Sequence, residues 1–305
     1  MGSPQTNLPS ATPDDAELAG LRRGLGREGI PIPAYQTLGV EVRSATIGAA
    51  VVRVPVSPHL AAPGGGLLPG AFAVLADACC GCAVAAALPA GGAALTVQLR
   101  VEFIRPLPPG HAWIEGRAEA DAVDDDSGLA RAEIVDEADQ LLGVSSLRII
   151  KASHQGSRHG AAATPVSPGR SQPARHQADN PVARFLGVVS RLADSGRSTW
   201  TFRPSHAVAN SFGMVHGGVL GLLAHEVASD ALRSVIGLGE ELIPLDLVVN
   251  FYRGVPAADG LAAAIARVAH RGRRFVVAEG EVAGPDGRPA LRLSAGAQIR
   301  GTHAR

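Results

Sequence analysis

The sequence predicts an α+β protein made of one unit used twice, each unit an antiparallel sheet wrapped round a single central helix. Three observations predict it. The chain repeats itself at a fixed offset: Gly70/Gly218, Leu75/Leu223 and Ala76/Ala224 share it with Leu99/Leu247, Val101/Val249, Phe103/Phe251 and Arg105/Arg253, all 148 positions apart. Two separate blocks in one register, with no gap between them, mark an internal repeat. Within each repeat one long apolar run of helical length precedes several strand-like runs, the order expected of a sheet packed on a helix. Between the repeats, residues 153–180 are rich in Ser, His, Pro and Gly and have no apolar period, which marks a connector.

These features divide the 305 residues into a tail over 1–28, polar and Pro-rich over 1–13, a first unit over 29–152, a flexible linker over 153–180 and a second unit over 181–301. Each unit opens with a strand, Gly39–Pro55 or Arg197–Arg203. A Gly-rich loop follows, then an apolar helix of about five turns, Gly70–Leu88 or Gly217–Leu238. Next comes a strand of period two, VQLRVEF or LDLVVNF. Three further strands close each unit: Ala112–Ala120, Ala130–Asp136 and Leu141–Ile150 in the first, Leu261–Ala269, Phe275–Val282 and Ala290–Ile299 in the second.

Composition narrows the function. With 46% hydrophobic and 18% charged residues the chain has apolar mass for proper cores and is not a disordered polymer. Lys and Arg total 28 and so do Asp and Glu, so the basic excess of a general nucleic-acid binder is absent. Cys79, Cys80 and Cys82 are the three cysteines. An odd cluster of this kind makes no disulfide framework and lacks the spacing of a zinc site, so helix packing is the expected role. Without a secretory signal the chain is expected to be cytoplasmic.

From Val54 to Leu99 the one charged residue is Asp77. The apolar stretch Leu67–Leu88 is expected to be a buried helix and not a membrane span. Pro63, Pro69, Pro89 and Gly64–Gly66 interrupt the run, and no basic flank follows. A carboxylate in such surroundings is costly to ionise unless paired or hydrogen-bonded, which makes Asp77 a candidate functional residue.

The second unit carries Asn210-x5-His216-Gly217-Gly218 at the head of its helix, and its alternating strand ends Asn250-Phe251-Tyr252-Arg253. With the helix between them, these motifs resemble the hotdog-fold acyl-CoA thioesterases of the phenylacetic-acid-pathway (PaaI-like) type. The likeness extends over nearly all of both units. It implies two hotdog units paired as an intramolecular pseudo-dimer, central helices side by side, with sites at the interface. It further implies a loop Asn and His-Gly from one unit, an acid from the partner helix nine positions after the His, and a Ser or Thr at the start of the following strand.

Carried over, the pattern splits between the units. In the second unit the acid position holds His225, and Pro244 stands at the Ser/Thr position. In the first unit those positions hold Asp77 and Thr96, but the loop has Ala62 for Asn210 and Leu68-Pro69 for His216-Gly217. The expectation is one composite site of Asp77, Thr96, Asn210, His216 and Gly217, and a second, inactive one around His225. Glu226 does not replace the missing acid, since one helical step turns a side chain by about 100°.

The implied activity is hydrolysis of an acyl-CoA to free acid and CoA. Gly217 N–H at a helix N-terminus would serve the oxyanion, and Asp77 would be general base or nucleophile. No cofactor is expected beyond the CoA of the substrate. Arg271, Arg273 and Arg274, in the run His270–Arg274, are candidate ligands of its phosphates; the first unit has Asp124–Asp126 there. A homodimer of double hotdogs is expected. The alternative is a non-catalytic acyl-CoA- or lipid-binding protein of the same fold, and a hydratase would need an Asp/His pattern that is not found.

Overall fold

In a computed structural model of the chain, residues 32–88, 93–152, 180–258 and 260–301 are described. The tail expected over 1–28 and all but the last residue of the linker expected over 153–180 lie outside them. Each unit begins with a short helix at the same repeat position: α1 (Pro33–Leu38) in the first, α3 (Pro181–Phe185) in the second. Pro occupies the first helical position of both, where its missing N–H costs nothing. Asn180 caps α3 by accepting from Ala183 N–H at 3.0 Å.

The first unit continues with β1 (Glu41–Thr46), β2 (Ala49–Pro55), α2 (Ala71–Ala87), β3 (Ala93–Phe103), β4 (Trp113–Val123), β5 (Ser127–Val135) and β6 (Leu141–Ala152). The second repeats the order with β7 (Val188–Asp194), β8 (Arg197–Phe202), α4 (Gly217–Arg233), β9 (Glu240–Phe251), β10 (Ala262–Arg271), β11 (Phe275–Ala283) and β12 (Pro289–Gly301). The run expected as one strand over Gly39–Pro55 is a hairpin, turned at Ile47-Gly48 with Thr46 facing Ala49. Its counterpart β7–β8 turns at Ser195-Gly196, both residues at positive φ, the turn whose twist suits a hairpin. Helix α4 stops at Arg233, short of the expected Leu238. Ser234 ends it, its hydroxyl donating to Ala231 O, and Gly237 and Gly239 follow.

All twelve strands form one sheet, in the order β1-β2-β4-β5-β6-β3-β9-β12-β11-β10-β8-β7. The order is a palindrome of the two units. They meet where β3 and β9 pair antiparallel, with Gln98 opposite Asn250, Arg100 opposite Val248 and Glu102 opposite Asp246. Arg100 and Val248 are themselves equivalent repeat positions, so the pairing is centred on an approximate two-fold axis.

Each sheet half curves round its own helix. α2 packs on β2 to β6 and α4 on β8 to β12, and the two helices pack on each other. α2 is buried on nearly every side, which explains its uniformly apolar sequence. The helices cross at glycines in equivalent positions. A Cβ at Gly218 would lie 2.7 Å from Val74 Cα, and one at Gly70 would lie 3.2 Å from His225 Cβ and 2.8 Å from Leu222 Cδ1. The same crossing brings Asp77 to the start of α4 and His225 to the start of α2.

Candidate functional site

Asp77 lies in the middle of α2, buried at 7% exposure, and points at the first turn of α4. Its Oδ2 accepts from Gly218 N–H at 2.6 Å, and its Oδ1 accepts from the Thr96 hydroxyl at 2.8 Å. Both carboxylate oxygens are thus satisfied, the condition for keeping a charge in an apolar interior. One partner comes from the first residues of β3, the other from the second unit. The positive end of the α4 dipole adds a favourable field.

His216 is the N-cap of α4 and is buried. Its Nδ1 lies 3.2 Å from Gly218 N and 3.2 Å from Asp77 Oδ2, and its ring stands against Tyr35 of α1 with centroids 5.0 Å apart. Burial pulls the His216 imidazole below its usual pKa, and the Asp77 charge opposes this without cancelling it. Gly217 follows. A Cβ here would come within 2.7 Å of Asp77 Oδ2, so no larger residue fits between the cap and the carboxylate. The Gly217 N–H donates to no group among the described residues, so a donor beside Asp77 stays available at the helix start.

Asn210 stands at the head of the loop. Its Oδ1 accepts from Phe212 N–H at 2.9 Å and Met214 N–H at 3.1 Å, so it stiffens the loop that delivers His216 and Gly217. The first-unit loop closes with matching backbone bonds. Ala62 N–H donates to Gly66 O as Asn210 N–H does to Met214 O, and Leu68 N–H to Leu60 O as His216 N–H does to Val208 O. The loop backbone is therefore shared, and the side chains differ.

Asp77, Thr96, Asn210, His216 and Gly217 all border one cavity of about 1080 Å³ between the units. Apart from Tyr35, Asp77 and Thr96, its wall along the first unit is apolar, with Cys82, Ala85, Leu95, Ile149 and Ile150. Tyr35 borders it too, and sequence reasoning missed it because α1 was not anticipated. Burial, and the neighbouring Cys82, Asp77 and Cys79, hold the Tyr35 phenol well above its ordinary pKa. Burial, Asp77 and Cys80 push the Cys82 thiol up to about 12, which leaves it protonated and inert.

Arg271, Arg273 and Arg274 do not border this cavity. They lie at the β10–β11 turn, where Arg271 donates to Val235 O at 2.9 Å and Glu240 Oε2 at 3.0 Å, ties that stitch the turn to the connection between α4 and β9. The arginines at the cavity are Arg253 and Arg288, both 3.7 Å from Asp286 Oδ2. A charge run in sequence carries no information on which opening it faces.

Residues 10–146 match the family model described as the acyl-CoA thioesterase C-terminal domain, and residues 212–290 match that of the thioesterase superfamily. The chain thus carries a match to a thioesterase family model in each of its two units. It is an enzyme of the thioesterase class, and both of its units carry the family pattern. Among solved structures, a protein of Novosphingobium aromaticivorans is 19% identical with a TM-score of 0.63, aligned over 82% of this chain and 96% of its own. A conserved protein of Alicyclobacillus acidocaldarius described as a hot dog fold is 12% identical with a TM-score of 0.62, over 88% and 97%. The tesB protein of Mycobacterium avium subspecies paratuberculosis is 14% identical with a TM-score of 0.61, over 88% and 98%. At these identities the likeness shows the hotdog fold alone. No curated protein matches the chain. Among the described residues of this thioesterase, no helix is long and apolar enough to cross a membrane.

The opposite helix crossing in the thioesterase is built differently. His225 Nδ1 lies 3.4 Å from both Glu226 Oε1 and Ser229 Oγ, and its ring packs on Phe103. Glu226 Oε2 accepts from Asn180 Nδ2 at 3.2 Å. Pro69 stands where the other crossing has Gly217, so the backbone N–H at that position does not exist.

Proposed function

We propose that this thioesterase hydrolyses an acyl-CoA to a free acid and CoA at one composite site. That site holds Asp77 and Thr96 of the first unit with Asn210, His216 and Gly217 of the second. The tandem units act as an intramolecular pseudo-dimer, and the crossing at His225 is inactive. The observation that carries this reading is the Asp77 carboxylate held against the N-terminus of α4, beside the free Gly217 N–H, in a cavity made by both units.

The chemistry follows from these groups. Asp77 takes a proton from a water that the Thr96 hydroxyl helps to orient, and the water oxygen attacks the thioester carbonyl carbon. Negative charge collects on the carbonyl oxygen, where Gly217 N–H and the helix dipole stabilise it. The C–S bond breaks, the acid leaves with the water oxygen, and the CoA thiolate recovers the proton from Asp77. His216 and Asn210 hold the loop in place. The Asn-x5-His-Gly spacing supports the phenylacetic-acid-pathway subtype, and no cofactor is needed beyond the CoA of the substrate.

CoA release from short-chain, long-chain and aryl acyl-CoAs tests this reading, with Asp77→Ala and His225→Ala beside the wild type. Turnover lost in the first variant and kept in the second supports it. Binding of acyl-CoA without turnover of any substrate would overturn it in favour of a binding protein.

A further inference from the structure

Helices α2 and α4 contain glycines for different reasons. In α4, Gly218 and Gly221 face the partner helix, where a Cβ would lie 2.7 Å from Val74 Cα and 2.8 Å from Ala73 Cβ respectively. Gly81 of α2 has no such neighbour: a Cβ there would meet nothing within 4 Å. Mid-helix glycine weakens a helix, and packing gives no reason for this one. Gly81 borders the cavity instead, one turn beyond Asp77 and one turn before Ala85, on the same face of the helix.

At the repeat-equivalent positions of α4 the same face carries His225, Ser229 and Arg233. There Ser229 Oγ lies 3.4 Å from His225 Nδ1, and Arg233 Nη1 lies 3.7 Å from Asp230 Oδ1. Polar side chains stand on that face of α4, whereas on α2 the face beyond the carboxylate is bare. The charged groups of the cavity other than Asp77 come from the second unit, Arg253, Arg288 and Asp286, whereas Ala85, Leu95 and Ile149 of the first unit are apolar.

We propose that Gly81 sets the acyl specificity of the site: the open helix face it leaves beside Asp77 receives an unbranched apolar acyl chain of medium length, running from the carboxylate toward Ala85. The eight helical steps from Asp77 to Ala85 give this face a length of about 12 Å, so an acetyl group leaves most of it unused. The charged second-unit residues Arg253 and Arg288 are left to the CoA moiety. The inference rests on the thioesterase reading above.

The test is the ratio of kcat/KM for decanoyl-CoA over acetyl-CoA in wild type, Gly81→Ala and Gly81→Leu. The ratio is expected to fall with side-chain size, by about tenfold or more for Gly81→Leu, as a filled pocket rejects the longer chain. Thermal melting at or above the wild-type temperature is expected, because both replacements favour helix more than glycine does. An unchanged ratio, or an equal loss on both substrates, overturns the proposal. Calorimetric binding of decanoyl-CoA to Asp77→Asn, with and without Gly81→Leu, gives a readout independent of turnover. Weaker binding by a similar factor is expected, and equal affinity overturns the role of Gly81. A wild type that hydrolyses neither substrate overturns only the hydrolase reading, and the binding comparison still decides the role of Gly81.

Discussion

Asp77 Oδ2 and Gly218 N–H, 141 positions apart in the chain, are 2.6 Å apart across the boundary between the two units. This contact makes the proposed site composite. It needs the crossing of α2 and α4, which the glycines at 70 and 218 permit, and the central pairing of β3 with β9. Neither unit supplies both a carboxylate and a free helix-terminal N–H.

Replacing Asp77 by Asn is expected to abolish most turnover while keeping the fold. The amide oxygen still accepts from a neighbouring donor, but it takes no proton from water. A general base contributes about 10²–10⁴-fold, so kcat in a CoA-release assay should fall by that order with little change in the melting temperature. A variant retaining more than a tenth of wild-type kcat would remove Asp77 from the chemistry.

Gly217→Ala is expected to cost about 10²-fold in kcat, the scale of losing one oxyanion donor. The new Cβ would lie 2.7 Å from Asp77 Oδ2 and must push the carboxylate or the helix start aside. Because the thioester carbonyl is the group displaced, kcat should suffer more than KM. Steady-state kinetics on one acyl-CoA distinguish this outcome from a uniform loss of binding.

The stability of the fold should depend on His216. Burial lowers the pKa of this imidazole from its ordinary 6.5, so the unfolded chain binds the proton more readily than the folded one. Stability therefore rises with pH through the window just below 6.5 and levels off above it. His216→Asn preserves a capping side chain but removes the titration. Its melting temperature should change less between about pH 5 and pH 7 than that of the wild type. Equal slopes would show that other groups carry the dependence.

The repeat was legible because register survives in sequence: apolar positions and glycines recur at one offset, whatever surrounds them. Asp77 was legible because a lone acid in an apolar helix is costly. Short elements were not. α1 and α3 span 6 and 5 residues, too few for a period to emerge, and Tyr35 was missed with α1. β7 ends at a Ser-Gly turn whose signal depends on two positive φ angles. The arginine turn is a candidate phosphate site in sequence because charge is visible there, whereas its place away from the cavity is not. The Arg191–Asp230 pair joins residues 39 positions apart on β7 and α4, and no spacing rule reaches it.

That pair carries a stability prediction. Asp230 is 4% exposed and accepts from Arg191 Nε at 2.7 Å, Arg191 Nη2 at 2.6 Å and Trp200 Nε1 at 2.8 Å. The carboxylate holds the Arg191 guanidinium above its usual pKa. Asp230→Ala strands a mostly buried cation and an indole N–H together, at a cost of about 3–5 kcal/mol. Urea unfolding should show a loss of that size. A change below about 1 kcal/mol, the range of exposed pairs, would mean that water replaces the partner.

Restoring an acid to the opposite crossing should not restore activity. His225→Asp puts a carboxylate at the position equivalent to Asp77, and Gly70 lies against it as Gly218 lies against Asp77, but the position equivalent to Gly217 is Pro69. Proline has no N–H, so the oxyanion would meet no donor at that point. The strand position equivalent to Thr96 is Pro244, which offers no hydroxyl to orient water. The double variant Asp77→Asn/His225→Asp is therefore expected to be as slow as Asp77→Asn alone, within about twofold. His225→Gln alone should keep wild-type kcat/KM per folded molecule. Recovery of turnover in the double variant would show that a carboxylate at a helix crossing suffices, and that the Gly217 N–H is not the deciding group.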